Sequence, residues 1–499
     1  MNRLLGEMRR LPSPLEWLCT AVLAIIVGMV VLLLPHLETR LVLLISAVAI
    51  MLFVSILTGG VRQWMCAAIA LDIPLQMGVY YGFDDAMAAR GAITGYNISV
   101  STLALFVLYG EWIIELALKR SQSQLNPRQW ITTIAPPTLY LIVALVSVTY
   151  AQDPQRSVYE LFTLLQIFLL FIYVTHRIKT RKEVFLFVTA LLIGLAIEGL
   201  IMIYLRGTGH EFKLGVIAGR IDVDKGSIGM RIGGTVGSPI SAASYLALLI
   251  GLAASIWFMP VALRYKLMSG SVLVLAALGL IFTLSRGGWT TAALSITLLS
   301  MAALYRKWVS PAVIVGIVVL LIAVVFAFQD TIMARLTGDD VGSTAARLPL
   351  MNLAWKIIRD YPIQGVGLNN FAAAMPPYLT PEFNGAWIYT VHNKYMLVWA
   401  ETGIFGLLTF LAFLAVTLRN GWKVFNLNDP MLAPLGIGMT ASVASQLSHM
   451  TLDVFHSRPQ VELLWLVAAL INVLLRLSQV QQPQHTDQTL LVSSEAKSR

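Results

Sequence analysis

The chain is poor in charge and in cysteine. Only 12% of its 499 residues are charged and 57% are hydrophobic, against about 25% charged and roughly 45–50% apolar residues in soluble domains. This composition excludes an ordinary soluble domain and predicts an all-α polytopic membrane protein. Cys19 and Cys66 are its two cysteines and both lie in apolar runs, so neither a disulfide framework nor a cysteine-based metal site is expected.

Acidic residues are outnumbered, with 26 Asp and Glu against 35 Lys and Arg, and the net charge is +9. In a membrane protein, basic residues more often follow the positive-inside bias or contact lipid phosphates than bind nucleic acid. We therefore expect the lipid bilayer as a partner and no nucleic acid. The sequence also has no repeat of fixed period.

Apolar runs predict about fourteen transmembrane helices, because a bilayer core needs about 20 mostly apolar residues per helix. They lie near 15–34, 41–58, 61–82, 97–118, 131–150, 158–175, 184–205, 239–259, 268–284, 288–305, 310–328, 394–418, 432–450 and 461–478. Asp72 and Pro74 interrupt the third run. It is retained because, without it, the basic cluster from Arg177 to Lys182 would lie outside, against the positive-inside rule.

This topology places both termini in the cytoplasm and two long segments outside the cytoplasmic membrane. The chain is divided into N-terminal helices at 1–205, a first extracytoplasmic segment at 206–238, central helices at 239–328, a large extracytoplasmic loop containing amphipathic helices at 329–393, C-terminal helices at 394–478 and a tail at 479–499. The tail is polar and without periodicity, so we predict that it is disordered.

Cations are frequent in the outer segments, and Arg220, Arg231, Arg286, Arg335 and Arg347 are among them. Long loops cross a membrane regardless of their charge, so these residues could have no special role. The alternative is a cationic outer surface that receives an anion.

Two short motifs carry arginines of this kind. RIGGTVGSP at 231–239 places Arg231 among glycines just before a helix start, where backbone N–H groups and the helix dipole favour phosphate. A plain loop with an arginine extended to lipid headgroups fits equally well. LSRGGW at 284–289 places Arg286 in a turn between two spans, where a lone arginine is usually a solvated loop residue.

The third motif, ARLPLMNLAWKIIRDYPIQGVGLNNF at 346–371, predicts an amphipathic helix, because apolar residues recur at helical spacing from Leu350 to Ile358. Such a helix either lies on the outer leaflet or packs on protein with its polar side in water. Both arrangements present Arg347 at the membrane surface.

His392 opens the last motif, HNKYMLVWAETGIFG at 392–406, at the mouth of a span. Histidine is suited to accept a proton near neutral pH, although a lone histidine is more often structural. His449, Asp453 and His456, at i, i+4, i+7 spacing, form a weaker candidate for a metal site.

Three acidic residues, Asp72, Glu198 and Glu401, lie within or near spans. Ionisable residues at membrane depth are functional candidates by default. Pairing with arginines, in a purely structural role, is the alternative.

Together the motifs at 231–239, 284–289, 346–371 and 392–406 resemble the O-antigen ligase and O-antigen polymerase superfamily, which includes bacterial protein O-oligosaccharyltransferases. The resemblance covers roughly the second half of the chain. It implies transfer of a saccharide from a lipid-linked donor, usually on undecaprenyl pyrophosphate, to an acceptor hydroxyl at the outer face of the inner membrane. The acceptor would be lipid A core, a glycan or a protein Ser or Thr. The chain departs from the family at Ile240, where members often have Asn.

With this resemblance, the residue chemistry predicts a site. Arg231, Arg286 and Arg347 are expected to bind the donor pyrophosphate, because the arginine fork matches phosphate oxygens. His392 is expected to be the general base. Supporting residues are expected at Arg220, Asn393, Gly365 and Gly367. The resemblance implies a reaction that needs neither metal nor cofactor and that inverts the anomeric centre.

A secondary transporter or lipid-linked glycan flippase is the alternative function. About fourteen spans would suit a transporter, and Asp72 and Pro74 could mark a discontinuous helix. This alternative leaves the long outer helix and loop without a function.

Overall fold

The computed structural model describes residues 39–57, 60–118, 127–223, 229–337, 347–380, 383 and 388–480, and this part is mostly helical. The α-helices are α1 (Thr39–Leu57), α2 (Val61–Leu75), α3 (Asp85–Ala88), α4 (Val100–Ala117), α5 (Pro127–Ser147), α6 (Pro154–Arg177), α7 (Arg181–Thr208), α8 (Pro239–Ser255), α9 (Leu263–Phe282), α10 (Arg286–Tyr305), α11 (Pro311–Ala327), α12 (Gln329–Thr337), α13 (Arg347–Asp360), α14 (Phe371–Ala374), α15 (Lys394–Phe425), α16 (Leu432–His449) and α17 (Arg458–Val480). Short 3-10 turns occupy Val148–Tyr150, Ile256–Phe258 and Pro376–Tyr378.

Among the described residues, nine helices are long and apolar enough to cross a membrane, which makes the chain a multi-pass membrane protein. They are α4 to α10, α15 and α17. The predicted runs 41–58, 310–328 and 432–450 form the helices α1, α11 and α16. The run 15–34 lies outside the described residues. The total of about fourteen spans stays a prediction.

The third predicted span, 61–82, is wrong in its second part, because helix α2 ends at Leu75. Gln76 adopts a left-handed conformation, with φ of 49°. The Asp72 carboxylate accepts hydrogen bonds from the backbone N–H groups of Met77, at 2.8 Å, and Ser101, at 2.9 Å. A side chain that bonds backbone groups beyond the helix offers the chain an alternative to further helical turns.

The fold is mostly helical, as predicted, and two small antiparallel sheets also join helices. Strands β1 (Gly78–Tyr81) and β2 (Tyr96–Ser99) pair in register Gly78 with Ser99. A second sheet has the order β3 (Phe212–Leu214), β4 (Ile217–Val223), β5 (Met230–Gly234). Gly215 and Val216 connect β3 to β4, and Gly215 has φ of 62°, which suits the first central residue of a two-residue hairpin turn.

Small residues let α8, α10 and α16 pack closely. A Cβ atom added at Gly251 of α8 would lie 2.4 Å from Ser295 Oγ of α10 and 2.5 Å from Ser442 Oγ of α16. One added at Gly288 of α10 would lie 2.5 Å from Ala243 Cβ of α8. Close backbone approach through small residues is the usual way in which membrane helices associate. It brings the start of α10 and the end of α16 together.

The predicted amphipathic helix is confirmed as α13. Its apolar face is buried, and the members of that face are Leu350, Leu353, Ala354, Ile357 and Ile358. These residues share a core cluster with Leu397 and Ala400 of α15, so the helix packs on protein. Next to it, α15 is interrupted at Gly403, where φ is 68° and ψ is −172°, and the Ile404 N–H donates to Pro362 O at 3.1 Å.

Candidate functional site

A cavity of about 250 Å³ lies where β5, α10, α12, α13 and α16 meet. Among the described residues, four arginines and one histidine line it: Arg231, Arg286, Arg335, Arg347 and His449. The other lining residues are small or apolar: Ile240, Ser285, Gly287, Thr290 and Leu452. We call this space the arginine cavity. It brings together the three arginines that the sequence predicts for the donor.

The turn between α9 and α10 arranges most of these cations. Its carbonyl groups accept from two of them, since Arg231 Nε donates to Thr283 O at 3.2 Å and Arg335 Nε donates to Leu284 O at 2.7 Å. The same turn leads directly into Arg286, the first residue of α10. The turn therefore positions the guanidinium groups of three arginines that come from distant parts of the chain.

Leu284 holds this turn in a conformation that is unusual for a residue with a side chain. Its φ is 50°, in the left-handed region. Such a backbone costs about 1–3 kcal/mol and persists only where its surroundings impose it. Here the strain coincides with the carbonyl group that orients Arg335.

The N-terminus of α10 also faces the arginine cavity. Ser285 caps this helix, and its side chain accepts from the Gly288 N–H at 3.2 Å. Ser285, Arg286 and Gly287 all line the cavity. A helix N-terminus carries partial positive charge and presents N–H groups, so it favours an anion together with the guanidinium groups.

His392 lies beside this cavity rather than in its lining. It is 7% exposed, and its ring centroid is 5.4 Å from that of Tyr389. The backbone on either side of it is fixed, because the Thr390 N–H donates to Arg90 O at 2.9 Å and the Lys394 N–H donates to Met450 O at 2.8 Å. Arg347 lines the cavity and also acts electrostatically on His392, so it links the two.

The pKa of His392 is lowered from that of a free histidine. Burial is the largest cause, the Asp453 carboxylate raises the pKa in part, and the positive charge of Arg347 lowers it. The neutral imidazole, which can accept a proton, is therefore the dominant form near neutral pH.

Of the predicted supporting residues, Asn393 is next to the histidine and Arg220 is away from the cavity. Asn393 caps α15, and its side chain accepts from the Met396 N–H at 3.0 Å. Arg220 is exposed on β4, opposite Gly234, and is not among the residues that line the arginine cavity.

Gly365 and Gly367 dock a loop onto the interrupted helix α15. The Val366 N–H donates to Ala400 O and the Gly367 N–H donates to Glu401 O, both at 2.9 Å. Gly365 has φ of 73°, and a Cβ atom added there would lie 2.4 Å from Glu401 O. Their position is explained by this close backbone approach.

The three acidic candidates bind protein groups. Asp72 forms an ion pair with Arg458. Glu198 Oε1 accepts from the Thr235 N–H at 2.9 Å, and Glu401 Oε1 accepts from the Phe371 N–H at 3.1 Å. Glu198 thereby holds the chain just after the strand that carries Arg231.

In the part of the chain that the structure describes, no group of three His, Cys, Asp or Glu side chains is arranged to hold a metal. The set His449, Asp453, His456 is therefore not a metal site.

Sequence reasoning missed Arg335 and His449 as members of this site. Arg335 was visible as one more cation of the large outer segment, but nothing in the sequence indicates that its guanidinium meets the turn before Arg286. His449 was visible only as part of the metal candidate. Its place in the arginine cavity depends on how α16 packs against α10.

Comparison with known proteins gives one family. Residues 271–411 match the family model described as O-Antigen ligase. No curated protein matches the chain. The match includes Arg286, Arg335, Arg347 and His392, and it indicates glycan transfer of the O-antigen ligase or polymerase type rather than transport. The predicted resemblance to the O-antigen ligase and polymerase superfamily is thereby confirmed, through the segment that carries three of the four cavity arginines and the predicted base.

Proposed function

We propose that this protein transfers a saccharide from an undecaprenyl-pyrophosphate-type lipid donor to an acceptor hydroxyl at the outer face of the cytoplasmic membrane. One observation carries the proposal: four arginines converge on a single cavity of about 250 Å³ beside His392, largely within the segment that matches the O-antigen ligase family. Both termini are cytoplasmic in this proposal and the site is extracytoplasmic, in agreement with the basic residues of the predicted inner loops.

The donor pyrophosphate binds in the arginine cavity. Arg231, Arg286 and Arg347 bind its oxygens, and the N-terminus of α10 adds N–H groups. As the bond between the anomeric carbon and the pyrophosphate breaks, negative charge grows on the leaving oxygen. Cations that are already oriented by backbone carbonyls stabilise this charge without reorganisation.

The acceptor hydroxyl attacks the anomeric carbon from the side opposite to the pyrophosphate. Its oxygen forms the new glycosidic bond while its proton passes to the imidazole of His392 and the lipid pyrophosphate leaves. The low pKa of His392 keeps the ring in its basic form before attack. Attack from the opposite side inverts the anomeric centre, and the step as written has no role for a metal.

Purified protein in detergent tests the proposal, because no transmembrane gradient exists there and a transporter or flippase would show no product. The lipid-linked saccharide is supplied with each acceptor class in turn: lipid A core, a second lipid-linked glycan, or a peptide with Ser or Thr. The wild type should form a new glycosidic bond with one of them. His392→Ala should abolish transfer while the protein still inserts and binds donor. Full transfer by this variant would remove His392 from the mechanism.

A conservative change tests the donor site. Arg286→Lys and Arg347→Lys keep the charge but lose the planar fork, so kcat/KM for the donor should fall by about 10²–10³. Lys356→Arg is the matched control, because Lys356 lies on the exposed side of α13 and does not line the cavity. Unchanged donor kinetics in both variants would show that these arginines are surface charges only.

A further inference from the structure

His449 occupies the arginine cavity without a role in the mechanism above. It is 3% exposed and lies at the end of α16. A Cβ atom added at Gly287 would lie 3.0 Å from its Cδ2 and 3.1 Å from its Nε2. Gly287 lines the same cavity, so this edge of the imidazole is presented at the N-terminus of α10.

A chain of hydrogen bonds determines which ring nitrogen carries the proton. Gln446 Nε2 donates to Ser244 O at 2.9 Å. A backbone carbonyl can only accept, so the amide orientation is determined and Gln446 Oε1 faces the histidine. His449 Nδ1 is 3.3 Å from that oxygen and must therefore donate to it. In the neutral ring, Nε2 is then left as an acceptor.

An acceptor nitrogen is the wrong partner for a phosphate oxygen, which also only accepts. The neutral ring would repel the ligand at this edge, whereas a ring protonated at Nε2 would donate to it. Burial and the positive charge of Arg347 on α13 disfavour a second proton on the ring while no anionic ligand is bound. Arg231 on β5, Arg286 on α10 and Arg335 on α12 line the same cavity. Asp453, just after α16, acts in the opposite direction. The negative charge of a bound pyrophosphate reverses this balance and favours the protonated ring of His449.

We infer that His449 binds the donor pyrophosphate through Nε2 and that it takes up one proton from solvent when the donor enters the arginine cavity. The inference rests on the proposed function, since it assumes a pyrophosphate in this cavity. It assigns different tasks to the two histidines. His449 lies on the side of the leaving group, and His392, outside the cavity, takes the proton of the acceptor.

Donor binding should therefore depend on pH. The probe is a short-chain polyprenyl pyrophosphate linked to a saccharide, a diester whose own charge is constant between about pH 5 and 8, the range in which histidine titrates. Uptake of one proton predicts that the wild-type Kd rises by up to about tenfold for each unit of pH across the upper part of this range.

Two substitutions separate the two ring nitrogens. His449→Asn retains a donor to Gln446 but loses Nε2, so it should bind more weakly at low pH and show no slope. His449→Gln places an amide N–H near Nε2, so it should bind without a slope yet more tightly than His449→Asn. His210→Asn, which changes an exposed histidine beside the second sheet, is the control and should keep the wild-type slope.

Each outcome decides the inference. A wild-type slope that persists in His449→Asn, or that is lost in His392→Asn instead, overturns it. A wild type that binds the probe and transfers its saccharide with a Kd independent of pH overturns the inference alone. A wild type that neither binds the probe nor transfers its saccharide at any pH overturns the proposed function as well.

Discussion

Two buried arginines, Arg458 and Arg335, show how differently this protein uses the same side chain. Arg458 is 7% exposed and Arg335 is 5% exposed. Arg458 Nε donates to Glu462 Oε2 at 3.0 Å and its Nη2 contacts Asp72. Arg335 Nε donates to a backbone carbonyl, that of Leu284, and its side chain borders the arginine cavity.

The two arginines differ in the groups that surround their guanidinium groups. Arg458 is paired with the carboxylates of Asp72 and Glu462, and this network joins α2 to α17. Beside Arg335, whose Nε donates to the carbonyl group of Leu284, a volume of about 250 Å³ is left open. A buried arginine paired with carboxylates is typical of a structural ion-pair network, whereas a buried arginine beside an open cavity is typical of a ligand-binding site.

The largest effect is expected from removing the enclosed cation. Arg458→Met leaves Asp72 and Glu462 buried without their partner and should destabilise the protein by about 3–5 kcal/mol. Arg335→Met removes a cation of the arginine cavity together with its hydrogen bond to Leu284 O, and it should raise the donor KM about tenfold or more with a smaller loss of stability than Arg458→Met. Thermal unfolding in detergent and donor kinetics measure the two. Equal losses of stability in both variants would erase the distinction between the two arginines.

Gly287 and Gly288, adjacent at the start of α10, allow the same comparison between a position that lines the cavity and a position that packs against another helix. Gly288→Ala places a Cβ atom 2.5 Å from that of Ala243 and should destabilise the protein by about 1–3 kcal/mol, because α8 and α10 must move apart. In Gly287→Ala the new Cβ atom meets, among the described residues, only the ring of His449, at 3.0 Å. This variant should keep an unfolding temperature near that of the wild type while donor KM rises several-fold. Loss of stability in Gly287→Ala would show that this position is structural.

The Asp453 carboxylate acts electrostatically on His392, so a substitution of Asp453 tests the assignment of this histidine as the general base. It raises the pKa of His392, so Asp453→Asn should lower that pKa further. Activity needs the neutral imidazole, so the acid limb of the kcat profile should move to lower pH. A weaker base should also reduce the maximal kcat by up to about tenfold. Asp85→Asn, at an exposed position of α3, is the control. An acid limb that moves to higher pH would contradict the assignment of His392 as base.

The part of the site that could be predicted follows from topology and local pattern. The parity of the spans placed Arg231, Arg286 and Arg347 on one side, and the helical spacing after Arg347 predicted α13. Neither prediction requires knowledge of which distant segments pack against each other.

Two of the missed features depend on contacts between distant segments. Arg335 joins the site through the carbonyl of Leu284, a residue whose left-handed backbone has no sequence signature. Asp72 ends α2 early because its carboxylate meets the backbone of Ser101 on α4. The hairpin turn at Gly215 is local, but no strand is predicted in the segment 206–238 that contains it.

The smallest effect is expected at Arg220, which the sequence places in the site and the structure places beside it. It belongs to the same sheet as Arg231, but its side chain is exposed on β4 and does not line the arginine cavity. Water screens an exposed charge, so Arg220→Ala should change donor KM and kcat by less than about twofold. Kinetics at low and high salt provide the measurement, because a long-range attraction for the anionic donor would weaken with salt. If instead the variant loses activity as fully as Arg286→Lys does, independently of salt, then the donor contacts this sheet directly and the site extends beyond the cavity.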